Sequence, residues 1–301
     1  MAGSTAHILQ SLVANTVIAI SKGIAAVITG SGAMLAETIH SSADCGNQLL
    51  LLFGVKQSRK APTADHPLGY GRALYFWSFM VAMLLFSGGG MFSMYEGIHK
   101  IRHPEPVDDI LVGVIVLVVA LAIEGWATVG NIVELNKRRG DRPFVRFLSE
   151  TKDSDLVVVF GENSAAVLGL ALALGALVLA KTTGDGMWDG VGSLAVGVVL
   201  MAVAVFLAVE IKSLLVGERA DPTIEDAVKA LAAADPVINE VLQIVTVQQG
   251  PGEIVLLMKL RFKPGLTTGT ELETAINAFE ERVRQKVPEA KWSFIEPDLT
   301  A

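Results

Sequence analysis

Six stretches of mostly apolar residues, near 9–29, 32–55, 73–98, 108–135, 155–180 and 189–216, fill this chain before residue 218. A helix needs roughly 20 such residues to cross the hydrocarbon core of a bilayer, so each stretch is long enough to span one. The 301 residues are 51% hydrophobic and only 18% charged, with a mean hydropathy of +0.51, more apolar than a soluble domain of this size. The pattern predicts an all-α six-helix transmembrane domain over residues 1–218. No basic n-region precedes the first run and no small-residue cleavage site follows it, so the first helix is expected to stay in the product.

Against that apolar background, the second stretch is polar: Glu37-Thr38-Ile39-His40-Ser41-Ser42-Ala43-Asp44-Cys45-Gly46-Asn47-Gln48. Ionisable groups at membrane depth are a functional-site hypothesis by default. Residues three and four apart share a helix face, so Glu37, His40, Ser41, Asp44 and Gln48 line one stripe. An imidazole one turn from a carboxylate is half of a tetrahedral metal site. Cys45 turns off that stripe and reads as a small core residue. In the fifth stretch Glu162, Asn163 and Ser164 form the strongly polar cluster, beside a ridge of Gly161, Ala165, Gly169 and Ala173 that lets another helix approach closely. Elsewhere Asn15 and Lys22 are expected to pack toward the bundle or snorkel, Gly88-Gly89-Gly90 marks a close-packing point or kink, and Glu124 has no nameable partner.

Lys/Arg bias sets the orientation. Lys56, Arg59, Lys60 and Arg72 follow the second stretch, and Lys137, Arg138, Arg139, Arg142, Arg146 and Lys152 follow the fourth. The opposite loops carry only Lys100 and Arg102, then Lys181, so both termini are expected in the cytoplasm. Helices five and six, joined by Thr182-Thr183-Gly184-Asp185-Gly186, form an antiparallel hairpin. From residue 219 the composition turns soluble. Pro222 and Thr223 open a helix that Asp235-Pro236 ends; 241–247 and 254–262 read as strands around Gln249-Gly250-Pro251-Gly252; a helix at 270–286 and a strand at 291–295 follow. That order, αββαβ, predicts a small cytoplasmic two-layer α/β domain over 219–301, ferredoxin-like. The formal net charge of -7 argues against a nucleic-acid binder, and one cysteine excludes an internal disulfide framework.

His40-x-x-x-Asp44 in the second helix, the loop Asp65-His66-Pro67-Leu68-Gly69-Tyr70-Gly71-Arg72, Asp189 at the start of the sixth helix and the α/β tail together resemble the cation diffusion facilitator family over essentially the whole chain. Glu162-Asn163-Ser164-Ala165-Ala166-Val167-Leu168-Gly169 and Leu214-Leu215-Val216-Gly217-Glu218 resemble its mitochondrial-type zinc transporter branch. The resemblance implies a homodimer that exports zinc or a related divalent cation from the cytoplasm in exchange for protons. It implies metal ligands at His40, Asp44 and Glu162, where the family's common site has four, because Ala166 stands at the remaining position. Asn163, Glu37 or water would complete the set, with Glu37 otherwise an orienting or helix-packing group. A weaker loop site would use Asp65 and His66, since Tyr70 stands where many members have another histidine. The tail has no histidine or cysteine, so its dimerisation is not expected to be metal-bridged.

Imidazole with carboxylates suits zinc, cobalt or iron, and the same atoms bind protons, which is the core of an antiporter. The metal is cargo, and no cofactor is implied. Alternatives are a manganese, iron or cobalt exporter of the same family, or a non-transporting membrane scaffold with a vestigial metal site. An enzyme is disfavoured, since there is no His-Glu-x-x-His and no evident nucleophile and base pair. Besides the metal ion, the expected partners are protons and the lipid bilayer, and a prokaryotic inner membrane is the default location.

Overall fold

The computed structural model describes residues 2–107, 109–151, 154–265 and 268–299; Lys152 of the basic loop lies outside them. The chain divides into two compact units, Met1–Lys56 with Phe76–Ser149 and Ser154–Lys212, and Gln57–Tyr75 with Glu150–Asp153 and Ser213–Ala301.

The first unit is helical. Its elements are α1 (Ala2–Thr29), α2 (Gly32–Ser58), α3 (Ala73–Leu84), a π-helical segment (Leu85–Met91), α4 (Phe92–Arg102), α5 (Ile110–Arg139), α6 (Phe144–Glu150), α7 (Ser154–Thr183) and α8 (Met187–Val216). Among the described residues four helical stretches are long and apolar enough to cross a membrane: Ala73–Arg102, Ile110–Arg139, Val157–Thr183 and Met187–Val216. α1 adds the shorter apolar segment Asn15–Thr29. The 27 residues of α2 reach about 40 Å, ample for a span, but Glu37, His40, Asp44 and their polar neighbours dilute its hydropathy. The chain is a membrane protein, and side chains such as Val27, Leu111 and Trp126 form an exposed apolar exterior.

The triple glycine sits in the π segment, where the helix widens by one residue per turn without ending. What demands small residues is the seam with α8. A Cβ on Gly97 would fall 2.8 Å from the Gly190 carbonyl oxygen, and one on Gly197 would fall 2.7 Å from the Met94 nitrogen. Backbones thus touch at Gly90, Gly97, Gly190 and Gly197, which repeat every seven residues on both helices. The short α6, absent from the sequence reading, exists because Phe147 and Leu148 close over Leu135 with Phe144 and Phe160.

In the second unit α9 (Pro222–Ala233), β1 (Ile238–Gly250), β2 (Glu253–Phe262), α10 (Gly269–Lys286) and β3 (Ala290–Pro297) give the order α, β, β, α, β. The sheet runs β1-β2-β3, antiparallel then parallel. Alternation along β2 sends Ile254, Leu256, Met258 and Leu260 into a core with Val228, Ala232, Phe279 and Val283. The helix starts are capped as the sequence requires: the Asp221 carboxylate accepts from Thr223 N–H, and Thr268 and Glu271 cap each other reciprocally. The loop carrying His66 to Arg72 belongs to this unit. Gly71 lies so close to β1 that a Cβ would fall 2.6 Å from the Gln249 carbonyl oxygen.

Candidate functional site

Inside the helical unit, α2 carries its polar residues along one buried stripe. From Glu37 to Asn47 the stripe rises about 15 Å at the α-helical pitch. His40 has no exposed surface, and its Nδ1 lies 3.6 Å from Asp44 Oδ1, one turn on. Beyond Asp44, Asn47 reaches to α7, where its Nδ2 donates to Glu162 Oε1 at 2.6 Å. Asp44 and Glu162 lie within electrostatic reach of one another. The stripe thus pairs His40 with Asp44, and one turn on Asn47 joins it to Glu162 of α7.

Glu37 is engaged differently. Lys22, on α1 and fully buried, donates to Glu37 Oε2 at 3.1 Å, to Ser41 Oγ at 2.8 Å and to Glu124 Oε1 on α5 at 3.1 Å. Lys22 thus packs into the bundle and does not snorkel, and Glu124 does have a partner. Both charges stood in the sequence, but their pairing depends on α1 and α5 being neighbours; once those helices meet, opposite charges away from water seek each other. Glu37 also presses on α7, where a Cβ at Gly169 would collide with its Oε1. The small-residue ridge on α7 accordingly receives α2 at Gly169, while Gly161 meets Leu207 of α8.

Several buried polar atoms have no hydrogen-bond partner among the described residues: on the stripe Glu37 Oε1, both ring nitrogens of His40, Asp44 Oδ1 and Asn47 Oδ1, and on α5 Glu124 Oε2 and Asn131 Oδ1. Native interiors leave few such atoms, and each calls for an explanation. Chemically they are imidazole nitrogens and oxygens, able to take a divalent cation or protons. Among the described residues, however, no three His, Cys, Asp or Glu side chains are gathered closely enough to hold an ion in this conformation.

The remaining expected residues sit apart. Asn163 follows Glu162 on α7, and its carbonyl accepts from Thr128 Oγ1 of α5 at 3.4 Å. Ala166 is buried one turn after Glu162 and offers no ligating atom. Asp65 and His66 are exposed in the loop of the other unit, and the His66 ring stacks on Tyr70 with centroids 4.3 Å apart. Cys45 lies off the stripe, with its Sγ 3.6 Å from Thr16 Oγ1.

A second polar cluster closes the α1–α2 turn, where Gly30 takes a φ of 61°. Asp189, at the start of α8, accepts from Gly32 N–H at 2.6 Å, Ala33 N–H at 3.2 Å, the Ser31 hydroxyl and Lys100 Nζ at 3.2 Å. A carboxylate from another helix thereby caps the N-terminus of α2 and opposes its dipole. Lys100 also donates to the Gly30 carbonyl, tying α4 to the same turn.

Comparison with known proteins adds to this geometry. Residues 8–216 match the family model described as the cation efflux transmembrane domain. The chain is 32% identical over 254 residues to the proton-coupled zinc antiporter SLC30A9, mitochondrial, of Xenopus laevis, covering 84% of this chain and 45% of that protein. It is 29% identical over 236 residues to metal tolerance protein C4 of Arabidopsis thaliana, covering 78% of this chain and 52% of that one. To the cation-efflux pump FieF of Cronobacter sakazakii it is 30% identical over 256 residues, covering 84% of this chain and 79% of the pump. The chain thus spans about half the length of the first two relatives.

Proposed function

From a chain that belongs to the cation efflux family, we propose a secondary active transporter that exports a divalent metal cation, zinc before others, from the cytoplasm in exchange for protons. The observation that carries this reading is His40, fully buried in an apolar bundle with neither nitrogen hydrogen-bonded among the described residues, 3.6 Å from an Asp44 Oδ1 that likewise has no hydrogen bond there. His40, Asp44 and Glu162 would hold the ion. Asn47 enters as a candidate alongside Asn163, Glu37 and water for the fourth position, because it already touches Glu162 and keeps Oδ1 open. Neutral imidazole and ionised carboxylates bind metal, and their protonated forms release it, so the same atoms couple the two fluxes. The weaker Asp65 and His66 site has less support, since both residues are exposed and no third such ligand joins them among the described residues.

Six spans belong to the same proposal, with α1 and α2 completing the four apolar ones, both termini cytoplasmic, residues 1–218 as transport domain and 219–301 as a ferredoxin-like regulatory or dimerisation domain. A homodimer is proposed with it. Val245, Leu257 and Phe294 form one partly exposed apolar row across the three strands, and a second copy would cover it. The relatives do not carry a prokaryotic inner membrane, because they include a mitochondrial antiporter as well as a bacterial pump. A non-transporting scaffold is the second reading, favoured by Ala166 and by the ungathered ligands.

Metal flux into proteoliposomes that enclose a pH dye tests the proposal, with zinc and manganese compared and the proton gradient imposed or collapsed. Zinc flux that follows the gradient and moves protons the other way is expected. Absence of any divalent flux in folded protein would leave the scaffold reading.

A further inference from the structure

We infer that Lys22 is a tethered cation seated in a second, all-oxygen cation site formed by Glu37, Ser41 and Glu124, and that by filling it Lys22 keeps hard divalent ions such as manganese out of the transport path. The inference rests on the metal-carrier reading and adds to it a residue that determines ion selectivity.

An ammonium has three N–H donors, and the structure satisfies all of them with oxygens drawn from two other helices, at 3.1, 2.8 and 3.1 Å. The seat is thus a built cation site with a cation already in it. It is also under-filled. Two carboxylates and one ammonium sum to -1, and each carboxylate keeps a second oxygen, Glu37 Oε1 and Glu124 Oε2, with no partner among the described residues. A divalent ion would neutralise the pair and use those oxygens.

The donor chemistry differs between the two neighbouring sites. Carboxylates and a hydroxyl suit magnesium, calcium or manganese, whereas the imidazole of His40 suits zinc. Both sites share α2, since Glu37 and Ser41 bracket His40 on adjoining faces of one turn. If the oxygen seat stood empty, a hard ion could bind a few ångströms from the zinc site. The lysine side chain forecloses that, because its charge is fixed to α1 and cannot be carried across. Glu37 is held in register for the task by Gly169, which leaves its carboxylate just enough room against α7.

The test counts manganese on purified protein already saturated with zinc, from the loss of the free-ion electron paramagnetic resonance signal. Wild-type protein is expected to bind no tight manganese. Lys22→Met should gain one manganese per chain, the double variant Lys22→Met/Glu124→Gln should lose it again, and in proteoliposomes the manganese-to-zinc flux ratio of Lys22→Met should rise about tenfold. Lys22→Gln, which removes the tethered charge and whose amide oxygen can itself ligate a hard ion, serves in its place if Lys22→Met does not fold. Folded, zinc-loaded Lys22→Met or Lys22→Gln that binds no manganese overturns the inference, since the carboxylates then take up protons instead. Zinc-loaded wild-type protein that binds manganese, lost on Glu124→Gln, overturns it from the other side. Absence of zinc binding and flux in the wild type is a separate result and would sink the carrier reading itself.

Discussion

Asp189 and Glu37 are both fully buried carboxylates in the same helical unit, and their surroundings differ in kind. Both oxygens of Asp189 are taken, Oδ1 by the Ser31 hydroxyl and Ala33 N–H, Oδ2 by Gly32 N–H and Lys100. Glu37 gives Oε2 to Lys22 and keeps Oε1 without a partner among the described residues; His40 and Asp44, farther along α2, keep open atoms too. A buried polar atom left unsatisfied costs about 1–3 kcal/mol. The saturated cluster at the α1–α2 turn ties helices together, and on the proposal above the open atoms of the stripe along α2 are what would hold the ion.

That contrast breaks if the two clusters respond alike to mutation. The largest effect is expected in the stripe. Asp44→Ala and His40→Ala should each take zinc flux to background in proteoliposomes while the unfolding temperature in detergent stays near wild type. Normal flux in either variant removes the proposed site. Asp189→Ala should do the reverse. It strips α2 of its cap and leaves Lys100 buried without its carboxylate, a loss of about 3–5 kcal/mol. The expected readout is a large fall in thermal stability, with zinc affinity retained by the fraction that stays folded. A stable Asp189→Ala protein that no longer transports would reassign Asp189 to the transport path.

The two clusters were unequally legible from the residues. Periodic signals are local, so the long helical stretches, the strand alternation from Ile254 to Leu260 and the two helices of the second unit could be read directly, while the caps at Asp221 and Thr268 came from the structure. The stripe on α2 was legible for the same reason, since His40 and Asp44 are one turn apart. The partners were not. Lys22 meets Glu124 across 102 residues, Asn47 meets Glu162 across 115, and Ser31 meets Asp189 across 158. Such pairs depend on which helices are neighbours, and an apolar run does not encode its neighbours. The need for Gly90 in the π segment has the same origin, since a Cβ there would fall 3.2 Å from the backbone nitrogen of Met201 on α8.

A smaller effect sharpens the contrast within the stripe. Ala166 is buried one turn beyond Glu162, at the position where the family resemblance implies a further ligand. Ala166→Asp should supply that ligand and tighten zinc binding about tenfold by calorimetry, as one more carboxylate on a divalent ion would. Unchanged affinity in folded protein would place residue 166 off the ion, and Asn47 would then be the stronger candidate for the fourth position.

The smallest effect is a control on the charge argument, because the second unit repeats the composition of the Lys22 seat in water. Lys259 pairs with Asp298 at 3.1 Å and Glu296 at 3.6 Å, one lysine against two carboxylates at the surface. The hydrogen bond to Asp298, with the charges of Glu296 and Asp298, raises the Lys259 ammonium above its usual range. A raised folded-state pKa stabilises the fold below the ordinary lysine value, and the contribution is lost as pH climbs through the raised one. The difference in stability between wild type and Lys259→Met should therefore shrink only in strongly alkaline solution, and concentrated salt should erase it at neutral pH. Lys22, shielded from solvent by α1, α2 and α5, should ignore the same salt. If Lys22→Met and Lys259→Met lost stability to the same degree and with the same salt dependence, burial would not be what distinguishes the two lysines, and the tethered-cation reading of Lys22 would lose its physical basis.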